Sequence, residues 1–127
     1  MTLVVDAAVV VEVLLGTRRG GRAAAELGDH ALLAPQHLTA EVASVFRGLS
    51  LGCHITEEQA LRGFEELAQL GVEQVPMIDL LPEVWAQRHN MTAYNAMYVA
   101  LARLLGCRLL TLDARLARAA PDCAVTP

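Results

Sequence analysis

The sequence predicts an α/β sandwich: a central parallel β-sheet covered by helices on both faces. Three observations predict it. Short β-branched or Leu-rich runs recur between longer helical patterns, as in successive βα units. Two Asp residues, Asp6 and Asp113, each follow an apolar run directly and open a helical stretch. The 127 residues are 54% hydrophobic, which suits one compact domain spanning residues 1–127, with no linker or repeat to divide it.

Taken in order, Leu3-Val4-Val5 is the first candidate strand and Ala31-Leu32-Leu33-Ala34 the second. After Pro35, apolar Leu38, Val42, Val45 and Leu49 recur at helical spacing and predict a buried stripe, with Glu41 at its border. Thr56 with Gln59 three residues on forms a capping-box start for a helix running to about Leu70, and Gly71 stops it. Val72 to Met77 reads as a strand and Asp79 to Arg88 as a helix. Thr92 caps a helix in which Met91, Tyr94, Tyr98, Leu101 and Leu105 follow the 3.6-residue period, and Gly106 closes it. Arg108 to Leu112 is a further strand, and Ala124-Val125 a last short one.

Composition narrows the function classes. The formal charge is −4 and all ten basic residues are Arg, which argues against holding nucleic acid through a broad basic face but leaves room for local Arg clusters or metal-bridged phosphates. Cys53, Cys107 and Cys123 are few, odd in number and widely spaced, unlike a disulfide framework or a Cys-rich zinc site, and they fit a reducing cytoplasm. The apolar N-terminus lacks a basic leader and is interrupted by Asp6 and Glu12, and no segment reaches the roughly 20 apolar residues a bilayer requires. A soluble, cytoplasmic protein is expected.

Asp6 and Asp113 stand at the carboxyl ends of two strands, the edge at which parallel α/β sheets place their ligands, so both could face one crevice. Asp is also a preferred helix N-cap, and either residue alone is explained equally by capping. Glu41 beside an apolar stripe needs a partner for its charge: a metal, an Arg such as Arg47, or solvent at the helix margin. Carboxylates without clustered His or Cys suit Mg²⁺ or Mn²⁺ better than Zn²⁺. Such ions promote phosphodiester hydrolysis by activating water and stabilising the leaving oxygen.

The ordered segments Val4-Val5-Asp6-Ala7, Leu38-Thr39-Ala40-Glu41-Val42, Thr92-Ala93-Tyr94-Asn95-Ala96-Met97-Tyr98 and Leu109-Leu110-Thr111-Leu112-Asp113 resemble the successive motifs of PIN-domain VapC toxins, from residue 3 to about residue 118. The resemblance implies a PIN-like three-layer α/β/α sandwich, a homodimer, a VapB-type antitoxin partner, and Mg²⁺- or Mn²⁺-dependent cleavage of RNA that leaves a 5′-phosphate and a 3′-hydroxyl. It makes Asp6, Glu41 and Asp113 metal ligands. The remaining acidic position of that pattern, after the Tyr of Thr-Ala-Tyr, is occupied here by Asn95.

Asn keeps a carbonyl oxygen but loses a charge, so metal affinity and cleavage are expected to fall. The sequence alone is equally consistent with a natural degenerate site and an introduced Asp-to-Asn change. Asn95 also stands three residues after Thr92, where it could reach back to the capping backbone. The alternative function is a catalytically silent PIN-fold module that engages an antitoxin; a generic Mg²⁺ phosphatase is a third reading.

Secondary candidates complete the site. Thr111, two residues before Asp113 and on the same side of the strand, is placed to bond a ligand carboxylate or a water, although its shape also simply favours a strand. Arg18, Arg19 and Arg115 are candidates for RNA phosphate or for a solvated face. Tyr94, Tyr98 and Trp85 are expected to pack, in the core or a dimer contact, and not to stack on bases. His30, His37, His54 and His89 lack paired ligand spacing. No nucleophile elbow, dinucleotide fingerprint or phosphate loop is present, and the absence of Lys also counts against a phosphorylation-type receiver domain.

Overall fold

The structure is a computed structural model describing residues 1–127. Five strands, β1 (Thr2–Val5), β2 (Ala31–Pro35), β3 (Glu73–Val75), β4 (Arg108–Leu110) and β5 (Ala124–Val125), form one sheet in the order β3-β2-β1-β4-β5. Every pairing is parallel. The chain builds outward from β1 to β3, then returns to the other side of β1, so the strand order reverses between β1 and β4. The carboxyl edge of that junction is where ligands bind in such sheets.

Seven helices complete the layers: α1 (Ala7–Leu15), α2 (Arg18–Leu27), α3 (Leu38–Leu51), α4 (Glu57–Leu70), α5 (Leu81–Ala86), α6 (Ala93–Leu105) and α7 (Ala114–Ala119). Helix α1 packs with α2, α3 and α4, while α6 lies on β1, β2 and β4 with α5 beside it. The sheet is thus sandwiched, as the alternating pattern predicted. Leu3, Val4, Val5, Leu109 and Leu110 are buried between the layers. No helix is long and apolar enough to cross a membrane.

Helix α1 shows how the site end is made. Its run of β-branched Val has modest helix propensity. Capping and burial make it a helix. Asp6 Oδ1 accepts the Val9 N–H at 3.0 Å at the start, Gly16 ends it in the left-handed conformation (φ 67°), and Val9 and Val10 are buried in the core.

Several predicted elements shift. The buried stripe of α3 is Leu38, Val42 and Phe46, with Val45 turned outward and Leu49 half-buried. Phe46 is preferred because its ring stacks on Phe64 of α4 at 5.2 Å and covers Gly63. The expected helix from Asp79 to Arg88 divides into a 3₁₀ turn, Ile78–Leu80, and the short α5. Pro82 lacks the N–H that a continuous helix would require there, so the helix can begin only just before it. Likewise Pro76 confines the predicted strand Val72 to Met77 to Glu73–Val75. The capping box at Thr56 and the Gly71 and Gly106 stops form as predicted.

Trp85, expected to pack, is 67% exposed, and Arg88 lies over its ring at 4.9 Å. Helix α5 is so short that only Val84 of its residues is fully buried.

Candidate active site

The register of β1 and β4 sets Val5 beside Leu110, so the next residues, Asp6 and Thr111, leave the sheet side by side at the switch point. The Thr111 hydroxyl donates to Asp6 Oδ2 at 2.5 Å and accepts the Asp113 N–H at 3.0 Å. One side chain thereby ties the Asp6 carboxylate to the backbone of Asp113. Asp113 caps α7, its Oδ1 accepting the N–H groups of Arg115 (2.9 Å) and Leu116 (3.3 Å).

Glu41, half-buried in the first turn of α3, comes near enough for its charge to act on Asp6. Its partner is not Arg47. The Tyr98 hydroxyl donates to Glu41 Oε1 at 2.8 Å, and His37 Nε2 lies 3.0 Å from that same oxygen. Tyr98 packs in the core as predicted, but its phenol is also a fixed donor inside the acidic cluster. Burial and the adjacent Glu41 hold the Tyr98 phenol far above its ordinary pKa, so it stays protonated.

Asn95 occupies the third position of α6. Its backbone N–H donates to Thr92 Oγ1 at 3.2 Å, but its side chain makes no bond back to Thr92. It is therefore not committed to capping. Together with Asp113 and Arg115 it lines a cavity of about 260 Å³ between α6 and α7. Arg18 and Arg19 begin α2, beyond the far end of nine-residue α1 from Asp6, a rise of about 14 Å. Arg19 faces Glu12 at 4.0 Å. Of the three arginines proposed for phosphate, Arg115 shares a cavity with Asp113 and Asn95.

Electrostatics single out Asp6. It is 7% exposed, and its carboxyl is raised from 3.8 to about 6, chiefly by burial, with the neighbouring charges of Glu41 and Asp113 adding to the rise against hydrogen bonds from Thr111 and Val9. No Arg pairs with Asp6, Glu41 or Asp113. As the side chains stand, no three His, Cys, Asp or Glu residues are gathered closely enough to enclose an ion. Each carboxylate is held by a local proton donor instead.

The donor set nevertheless fits a hard divalent cation. Glu41 Oε2 and Asp113 Oδ2 accept no protein hydrogen bond, Asn95 offers an uncommitted amide, and a cation would stabilise the Asp6 charge that burial, and secondarily Glu41 and Asp113, disfavour.

Sequence reasoning missed His37. It sought paired His spacing, whereas the relevant signal is the four-residue step from His37 to Glu41, which places both on one helix face.

A family model described as PIN domain matches residues 3–121 of the chain. The chain is 42% identical over 120 residues to "Ribonuclease VapC1" of Mycobacterium tuberculosis, covering 91% of this chain and 89% of that protein. It is 37% identical over 121 residues to "Ribonuclease VapC3" of the same organism, covering 94% and 88% respectively. It is 33% identical over 114 residues to "VapC ribonuclease Mb0985" of Mycobacterium bovis, covering 90% and 87%. Matched along nearly its whole length, with the α/β/α sandwich and the strand-end carboxylates in place, the chain belongs to the PIN-domain family, in its VapC ribonuclease branch.

Proposed function

We propose that this chain is the toxin of a type II toxin–antitoxin pair, a Mg²⁺- or Mn²⁺-dependent endoribonuclease slowed by Asn at position 95. The observation that carries this reading is the buried Asp6 carboxyl, raised to about 6 beside Glu41 and Asp113 with no basic partner, at the sheet's switch point. The relatives' shared description as ribonucleases supports RNA as the substrate. Asp6, Glu41, Asp113 and the Asn95 carbonyl hold the ion. Bound there, it supplies Lewis acidity: it makes water nucleophilic near neutral pH and offsets charge on the phosphate and leaving oxygen.

The chain's own residues then have separable tasks. Thr111 keeps Asp6 and Asp113 in register, Tyr98 orients Glu41, and Arg115 meets RNA phosphate at the cavity mouth. Asn95 supplies an oxygen but no charge and cannot accept a proton as a carboxylate does. A VapB-type antitoxin is the partner that a VapC-branch protein implies, and the active protein is a homodimer acting in the cytoplasm.

Asn95 also favours a second reading, in which the chain is a silent PIN module that still binds antitoxin. Single-turnover cleavage of single-stranded RNA with Mg²⁺ or Mn²⁺, for this chain and for Asn95→Asp, separates the two. The ribonuclease reading expects cleavage that rises by at least tenfold in Asn95→Asp. Equal rates remove Asn95 from the mechanism. Absence of Mn²⁺ binding by calorimetry, with an antitoxin peptide still bound, leaves the silent module, and turnover of small phosphoesters without RNA cleavage points to a phosphatase.

A further inference from the structure

His37 occupies the N-cap position of α3 without capping it: its side chain makes no bond to the first turn. Its side chain is only 14% exposed, and both ring nitrogens are buried without a hydrogen-bond partner, the only such side-chain atoms in the protein. Burying an unsatisfied imidazole is costly and is seldom tolerated without a role. Helix capping does not supply one, since Ser, Thr, Asp or Asn serves better there.

The surroundings suggest the role. Nε2 stands 3.0 Å from Glu41 Oε1, at hydrogen-bond distance but off its angle, so a small turn of either side chain converts the approach into a bond. The ring meets Tyr98 nearly edge-on at 5.0 Å and lies tilted beside Tyr94 at 5.6 Å, so the two tyrosines hold it in place. Tyr98 itself donates to the same Glu41 oxygen.

We propose that His37 is a positioning residue of the acidic site: with Tyr98 it clamps Glu41 Oε1 on the helix side and so leaves Oε2 as the oxygen presented to a cation. The metal part of this inference rests on the proposed function; the clamp itself does not. Two donors on one oxygen fix the carboxylate plane, whereas Tyr98 alone leaves it free to swing about a single bond. Outer partners of this kind commonly change metal affinity by 10- to 100-fold.

The clamp is tested first without metal, by the imidazole ¹⁵N spectrum of the full chain and of Glu41→Gln. Loss of the carboxylate is expected to move the His37 nitrogen signals and leave His30, His54 and His89 in place. An unmoved His37 overturns the proposal, whatever the protein's activity. Calorimetric Mn²⁺ titration then compares the chain with His37→Leu, His37→Gln and Tyr98→Phe. About tenfold weaker binding is expected for His37→Leu with no fall in melting temperature, and recovery in His37→Gln, which keeps an N–H donor. Native affinity in His37→Leu, or weakening that Gln does not restore, reduces His37 to a packing residue. If the parent chain and Asn95→Asp both fail to bind Mn²⁺ while the ¹⁵N signals respond, the proposed function fails and the clamp stands.

Discussion

The hydroxyl of Thr111, on a residue with no solvent exposure, donates to the buried carboxylate of Asp6 at 2.5 Å across two adjacent parallel strands. Because the same oxygen accepts the Asp113 N–H, Thr111 ties the Asp6 carboxylate to the backbone that carries Asp113. Thr111→Val keeps the shape and removes the hydroxyl. It is expected to raise the Asp6 carboxyl further and to cost about 1–3 kcal/mol, the usual penalty for stranding a buried acceptor. Thr111→Ser should stay near the parent. Urea unfolding at pH 7.5 checks both, and equal midpoints for parent and Val variant would show that the bond contributes nothing net.

Asp6 also sets a pH dependence with a definite sign. Its carboxyl is raised in the folded chain from 3.8 to about 6, chiefly by burial, so between those values the folded state holds more proton than the unfolded one. Its contribution is fully present below about pH 4 and is lost as pH rises through 6, for a difference of about 3 kcal/mol. Asp6→Asn is expected to flatten this part of the metal-free stability profile between pH 4 and 8. Added Mn²⁺ should stabilise the parent at pH 7.5 far more than at pH 5, and the Asn variant little at either. An identical profile for parent and variant would falsify the assignment.

Gly20 governs the packing of α2 on α1. A Cβ there would lie 2.0 Å from the Glu12 carbonyl oxygen, a backbone atom that cannot yield cheaply. Gly20→Ala should therefore destabilise by about 2 kcal/mol or more, despite the better helix propensity of Ala. Neighbouring Gly21 faces open space, so Gly21→Ala should be neutral or stabilising by up to about 1 kcal/mol. Thermal melts of the matched pair separate packing from propensity.

Trp85 is the chain's single Trp and is largely exposed, so its emission should be red-shifted and readily quenched by iodide. Trp85→Ala is expected to change stability by less than about 1 kcal/mol, because it loses only an exposed stacking contact with Arg88. A blue-shifted, protected emission would mean that this face is covered in solution, as a homodimer contact would cover it.

Much of the fold was legible in the sequence because its signals are local. Apolar runs, the Thr56 and Thr92 caps and the Gly71 and Gly106 stops depend on residues within a few positions of one another, and each element appears where they fall. The errors arose where one local rule outranked another. Pro82 and Pro76 trimmed elements that hydrophobic pattern alone extended, and Phe46 displaced Val45 because α4 supplied its partner.

The sequence by itself determined that Asp6 follows a strand and that Asp6 and Asp113 both open helices, although β4 stops at Leu110 and leaves Asp113 in the turn beyond it, and that the ordered motifs bring Glu41 and position 95 into one family pattern. Tertiary structure alone decided what each side chain meets. Thr111 reaches Asp6 because β1 and β4 are neighbours, and Tyr98 reaches Glu41 because α6 passes the start of α3. No residue-by-residue pattern carries those pairings, since strand order and helix packing follow from the burial of the whole apolar surface at once. The raised carboxyl of Asp6 is the product of that burial: the collapse that folds the sheet also strips water from the acid at its edge.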